Sequence, residues 1–160
     1  MTKEPAISHL EASIAGDSNA VLADAAKLLA KRGMKFTTIR RSVLELLCRE
    51  QRAVGAYELA SSFMAEYGRP IVPNTVYRAL EFLEEQGLAV HLMSTRAYVL
   101  NRFRKKTMPN VFFVCMSCKA ISEMNDPQVE QAKHGAAKKI RFKASPRPIE
   151  IQGTCTQCAE

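Results

Sequence analysis

The sequence predicts an α+β protein: a helical half closed by a short hairpin, then a small α/β half tied together by cysteines. Three observations carry this expectation. Four stretches between residues 18 and 87 repeat apolar residues at helical spacing, two short apolar runs follow at 88–92 and 97–100, and two Cys-x-x-Cys turns fall in the last third. The 160 residues, 47% of them apolar, suffice for one domain or two small ones.

Residues 1–17 are weakly periodic and read as a loosely held arm. From Ser18 to Arg32, Val21, Leu22, Ala25, Leu28 and Leu29 share a helical face, with Lys31 and Arg32 in the last turn and Gly33 after it. A second helix follows the capping candidates Thr37 and Thr38 and runs to Arg49, with Ile39, Val43, Leu46 and Leu47 inward. Arg40 and Arg41 oppose the dipole of its first turn, a placement that either an outside anion or simple solvation explains. A third helix spans Ala56–Tyr67 on Leu59, Phe63 and Tyr67, and Gly68-Arg69-Pro70 ends it.

Residues 73–87 are the stretch around which the rest is organised. Val76, Leu80 and Leu83 fall at i, i+4, i+7, and Ala79 widens the stripe. Pro73 suits a first turn, Asn74 offers a capping oxygen, and Gly87 suits a left-handed stop. Asn74, Arg78, Glu81 and Glu85 take the opposite face, with Thr75 and Tyr77 beside them. The N-terminal end of such a helix suits a phosphate, and Arg78 is long enough to reach a base edge. A solvated surface helix would show the same polar face. Helix, turn, helix and then a hairpin about Met93–Arg96 predict a winged helix-turn-helix domain over 18–101. The net charge of +7 favours a polyanionic partner.

At 102–110 the composition shifts to Arg102, Arg104, Lys105, Lys106 and Pro109, which reads as a basic hinge. The unit 111–160 reads as strands at 111–115 and 120–124, a helix opened by Asp126-Pro127 and running to Lys139, and a strand at 149–152.

No run approaches the ~18 apolar residues of a membrane span, and residues 1–16 lack a signal-peptide core, so a reducing cytoplasmic setting is expected. Cys115-Met-Ser-Cys118 and Cys155-Thr-Gln-Cys158 then read as a tetrahedral all-sulfur site for one structural Zn²⁺ per chain. A redox reading needs only one such turn and leaves the other unexplained, while disulfides would require an oxidised sample. Cys48, beside Leu44 and Leu47, reads as a small buried hydrophobe, and His134 as a solvent-facing side chain. An enzyme is not expected: no nucleophile–base pairing and no phosphate-cradling glycine loop is present, and a closed cysteine site has no open position.

Beyond these readings, the chain resembles the ferric uptake regulator family, and within it the zinc-uptake-regulator branch. The resemblance covers about residues 20–158 and rests on Gly55-Ala-Tyr-Glu-Leu59, Asn74-Thr-Val-Tyr-Arg-Ala-Leu80, Glu84, Gln86 and Gly87, Ala97-Tyr-Val-Leu100, and both cysteine turns. It implies a homodimeric repressor whose winged-helix domains bind double-stranded operator DNA and whose C-terminal α/β domains dimerise. It implies DNA contacts from Tyr77 and Arg78, with Asn74 and Thr75 on the same helix end, and a phosphate anchor at Arg40. It also implies a structural zinc at the cysteine tetrad, and no membrane or small-molecule substrate.

The same resemblance exposes departures around a second, sensing metal site. His91 and Glu123 stand where two of its ligands usually stand, but Asn101 replaces the wing's cysteine. No histidine occurs between Asn101 and Cys115, Ser145-Pro-Arg-Pro148 stands where another histidine is usual, Arg52-Ala53 lacks one before Gly55, and Thr38 replaces a proline. One imidazole and one carboxylate cannot complete a zinc sphere. The expected function is a dimeric DNA-binding regulator with a structural zinc and an incomplete sensor. Fixed cations Arg102, Arg104, Lys105, Lys106 and Arg147 are expected to pair with Glu123 and Asp126 in place of the sensing metal. Two alternatives stay open: a zinc-responsive repressor of zinc-uptake genes with an unconventional site around His91 and Glu123, and a zinc-ribbon scaffold that binds protein and no DNA.

Overall fold

Apolar spacing and local caps set four helices in the order the sequence predicts: α1 (Ser18–Lys31), α2 (Thr38–Arg49), α3 (Ala56–Tyr67) and α4 (Pro73–Glu85). The hairpin β1 (Ala89–Leu92) and β2 (Ala97–Leu100) follows. Then come β3 (Val111–Cys115), β4 (Ile121–Met124), α5 (Pro127–Lys139) and β5 (Ile149–Gly153). This computed structural model describes residues 18–50, 52–102 and 109–159. The arm at 1–17 and the hinge cations Arg104, Lys105 and Lys106 lie outside the described residues.

Helix α2 packs against α1, α3, α4 and β2, which makes it the hub of the helical half. The expected inward face widens accordingly: Ser42, Leu44 and Cys48 are buried along with Val43, Leu46 and Leu47. Thr37 caps the helix, its hydroxyl accepting from the Arg40 N–H at 3.4 Å. At the start of α3, Glu58 accepts the Gly55 N–H at 3.1 Å, supplying the reciprocal half of a capping box that glycine cannot complete. In α4 the expected cap is not made. Val72 occupies the cap position without a side-chain bond, and Pro73 takes the first helical position, so Asn74 stays exposed within the helix. The helix ends at Glu85 with Gln86 as its C-cap, and Gly87 makes the expected left-handed stop at φ 71°, a conformation that costs a side chain strain.

The second half is a three-stranded sheet in the order β4-β3-β5. Strand β3 runs antiparallel to β4 and parallel to β5, with α5 making the crossover. Asp126 caps α5 by accepting the Gln128 N–H at 2.8 Å, and Pro127 follows at the first helical position.

Two apolar clusters hold these parts. The first joins the four helices and includes Leu88, Ala89, Tyr98 and Leu100 of the hairpin. The second joins the other face of the hairpin (Val90, Leu92, Ala97 and Val99) to Ala53, Phe112 and Val114, with Ile121 packed against it. The hairpin is therefore a middle layer, covered on both faces, which explains why its strands are apolar on both sides except at His91. Phe112 is fully buried at its centre, a burial worth about 1.5–3 kcal/mol.

Candidate metal centre and nucleic-acid interface

Parallel pairing of Cys115 with Gly153 brings the last turn of the chain beside the end of β3. The Met116 N–H donates to the Gly153 carbonyl at 2.9 Å and fixes that approach. Lys119, at φ 64°, folds the first turn back, and the Cys158 N–H closes the second on the Cys155 carbonyl at 3.0 Å. The four sulfur atoms of Cys115, Cys118, Cys155 and Cys158 lie within 4.8 Å of one another. Those of Cys118 and Cys155 are 3.7 Å apart. Zinc–sulfur bonds of about 2.3 Å give a tetrahedron edge of about 3.8 Å, so the donor set fits Zn²⁺.

The protonation chemistry agrees with that fit. N–H groups of Cys118 and then Cys155 hold the Cys115 thiol down to about 6. Hydrogen bonds from Cys155 and Cys118 push the Cys158 thiol up to about 12. Four sulfurs this close cannot all ionise by themselves, and a dication removes the conflict. Four protein ligands leave no place for a reacting water, so the site is structural in character. None of the five cysteines is in a disulfide, and Cys48 is buried in the helical core as expected.

On α4, Val76, Ala79, Leu80 and Leu83 are buried, while Asn74, Arg78, Glu81 and Glu85 are exposed. Thr75 and Tyr77 are half-buried beside them, and the Tyr77 ring meets the exposed Tyr57 edge-on at 6.3 Å. The structure thus gathers four of the five expected contact residues at one helix end. Arg40 behaves differently. Its guanidinium lies 3.4 Å from the centroid of Phe82 on α4 and donates to the Lys35 carbonyl at 2.6 Å. It braces α2 against α4.

Among the described residues, the cysteine tetrad is the one group of three or more potential metal donors. His91 and Glu123 are not gathered with a third donor. The His91 ring stacks on Tyr98 at 4.4 Å. Burial pushes the Glu123 carboxyl up to about 7, and the nearby Arg102 charge opposes that rise. Asn101 is buried, its side-chain amide donating to the Gly87 carbonyl at 2.9 Å. Two expected pairings differ: Asp126 serves as a helix cap, and Arg147 reaches Glu84 at 3.6 Å. His134 is exposed and pairs with Glu130 on its own helix.

Sequence reasoning missed Glu150. It pairs with Phe112 across β3 and β5, and its carboxylate accepts N–H groups of Met93 and Ser94 in the hairpin turn. The strand Ile149–Gly153 alternates apolar and polar residues, so Glu150 carried no distinct signal, and its partner depends on tertiary register.

Helix-turn-helix, hairpin wing and closed thiolate cluster together define a winged-helix protein built around a structural metal site. The chain belongs to the ferric uptake regulator family, whose model matches residues 31–152. Members of that family are transcription regulators and not enzymes. The chain is 37% identical to the zinc uptake regulation protein of Escherichia coli (strain K12) over 141 residues, covering 88% of this chain and 82% of that protein. It is 27% identical to the peroxide operon regulator of Bacillus subtilis (strain 168), covering 87% of this chain and 94% of that one. Its fold matches a zinc uptake regulator complexed with zinc and DNA at TM-score 0.81 and 33% identity, covering 90% of this chain and 96% of the other. It matches holo XcZur at TM-score 0.75 and 30% identity, covering 88% and 98%. No helix among the described residues is long and apolar enough to cross a membrane.

Proposed function

We propose that this chain is a homodimeric, sequence-specific DNA-binding repressor of the cytoplasm, carrying one structural Zn²⁺ in the cysteine tetrad. The observation that carries the reading is the α3–turn–α4–wing unit, which turns Asn74 and Arg78 outward from a helix whose opposite face is buried. Arg78 reads a base edge, while Asn74, Thr75 and Tyr77 set the helix end against phosphates. Arg40 acts from its place over Phe82, holding α4 at its angle. Arg78→Glu separates this reading from a protein-binding scaffold, since a scaffold tolerates the change.

Residues 18–101 form the DNA-binding unit, 102–110 the hinge and 111–160 the dimerisation unit. Phe113 and Ile151, paired across β3 and β5, are 40% and 43% exposed, and Met124 on β4 is 40% exposed. They leave an apolar sheet face for a second copy. The relatives' association with zinc and DNA supports both partners.

Selection from a random duplex pool by zinc-loaded protein tests the proposal: recovery of a near-palindromic site supports it, and failure to enrich any sequence overturns it. Operator binding is further proposed to be independent of a second metal, because Arg102 already stands beside Glu123 and the described residues gather no third donor.

A further inference from the structure

Glu150 is a carboxylate that joins the C-terminal sheet to the tip of the wing. Its Oε1 accepts the Met93 N–H at 2.8 Å, and its Oε2 accepts the Ser94 N–H at 2.9 Å. Both donors lie at the start of the turn between β1 and β2. Hydrogen bonds to an ionised acceptor are stronger than neutral ones, and two from one carboxylate also fix direction.

Three residues earlier, Arg147 Nη2 stands 3.6 Å from Glu84 Oε1 near the C-terminal end of α4. Prolines at 146 and 148 fix the backbone on either side, and the Arg147 N–H donates to the Ser145 hydroxyl at 3.2 Å. The Ile149 N–H donates to the Asn110 carbonyl at 2.8 Å, seating the segment on the start of β3. One short stretch therefore touches the wing turn and α4, then runs through β5 into the cysteine turns.

We propose that residues 145–150 are a strap that positions the wing and α4 for DNA, with Glu150 as the principal positioning residue. The inference rests on the DNA-binding reading and deepens it. The exposed Arg147–Glu84 pair contributes little, because water competes for both charges. The two bonds to Glu150 carry most of the hold. They lie alongside the apolar cluster joining the wing to β3, so docking is written into the chain itself. If the docked form is the one that binds DNA, loosening it raises the apparent dissociation constant in inverse proportion to the docked fraction.

The test uses full-length, zinc-loaded protein and a duplex selected from a random pool. Without DNA, Glu150→Ala is expected to speed amide exchange at Met93 and Ser94, while zinc content stays at one per chain. Its affinity for the duplex is expected to fall about tenfold, which corresponds to a docked fraction of about one-tenth. Glu150→Gln keeps an acceptor and is expected to be intermediate in both readouts, which a general loss of folding would not produce. Unchanged exchange at those two amides in Glu150→Ala overturns the strap. Faster exchange with unchanged affinity overturns its positioning role. A wild-type protein that selects no duplex overturns the DNA reading instead, and the exchange measurement, needing no DNA, keeps the two failures apart.

Discussion

Arg78 and Arg40 show how two arginines near one helix come to different work. Arg78 is exposed on α4, whereas Arg40 is half-buried over Phe82 and donates to the Lys35 carbonyl. Arg78→Ala is expected to cost about 1–3 kcal/mol of operator binding and to relax preference at one base position, measured by competition among single-base variants. An equal loss across all sequences would make Arg78 a phosphate contact. Arg40→Ala is expected to lower stability by about 0.5–2 kcal/mol, read by thermal unfolding, because a cation–π contact is lost. Glu123 gives a pH prediction. Its folded value of about 7 lies above the ordinary carboxyl value of 4.5, so the folded state holds the extra proton between them. The stability it contributes is full below about 4.5 and is lost as pH rises through 7. Between pH 5.5 and 8, zinc-saturated wild type should lose on the order of 1–2 kcal/mol relative to Glu123→Gln, allowing for its partial contact with water. A constant difference between the two across that window would contradict this.

Among the elements, the β3–β5 pair has the heaviest duty, because it aligns both cysteine turns and carries Phe112 into the wing. Binding free energy at a structural zinc is folding free energy. Cys118→Ser is therefore expected to release the metal and to disperse the C-terminal sheet, seen as loss of strand signal and of the dimer. A metal-free wild-type chain that stays folded and dimeric would contradict the structural role. Phe112→Ala should cost about 3–5 kcal/mol, since the side chain is fully buried under the hairpin. The elements themselves were largely legible in the sequence. Helical spacing placed α1 to α4, and Asp126-Pro127 placed the start of α5. The miss at Asn74 has a local cause: with proline at the first helical position, the cap falls on Val72, one residue before the proline.

At the scale of the whole molecule, the net charge of +7 predicts strong salt dependence of operator binding through counterion release. Titration with a weak chelator is expected to leave affinity unchanged until the cysteine zinc is stripped. A tenfold fall with that zinc still bound, abolished in His91→Ala, would establish a sensing metal. The sequence by itself determined the helix order, the paired cysteine turns and the polar end of α4, because each depends on residues close together in the chain. Only the tertiary structure decided which distant partners the charged side chains meet. Glu150 meets the Met93 and Ser94 amides, Arg147 meets Glu84 instead of Glu123 or Asp126, and Arg40 lies over Phe82. Each of these contacts links separate elements, and strand register and helix packing choose the partner. A charge on a surface strand carries no mark in the sequence of which distant backbone N–H it will reach.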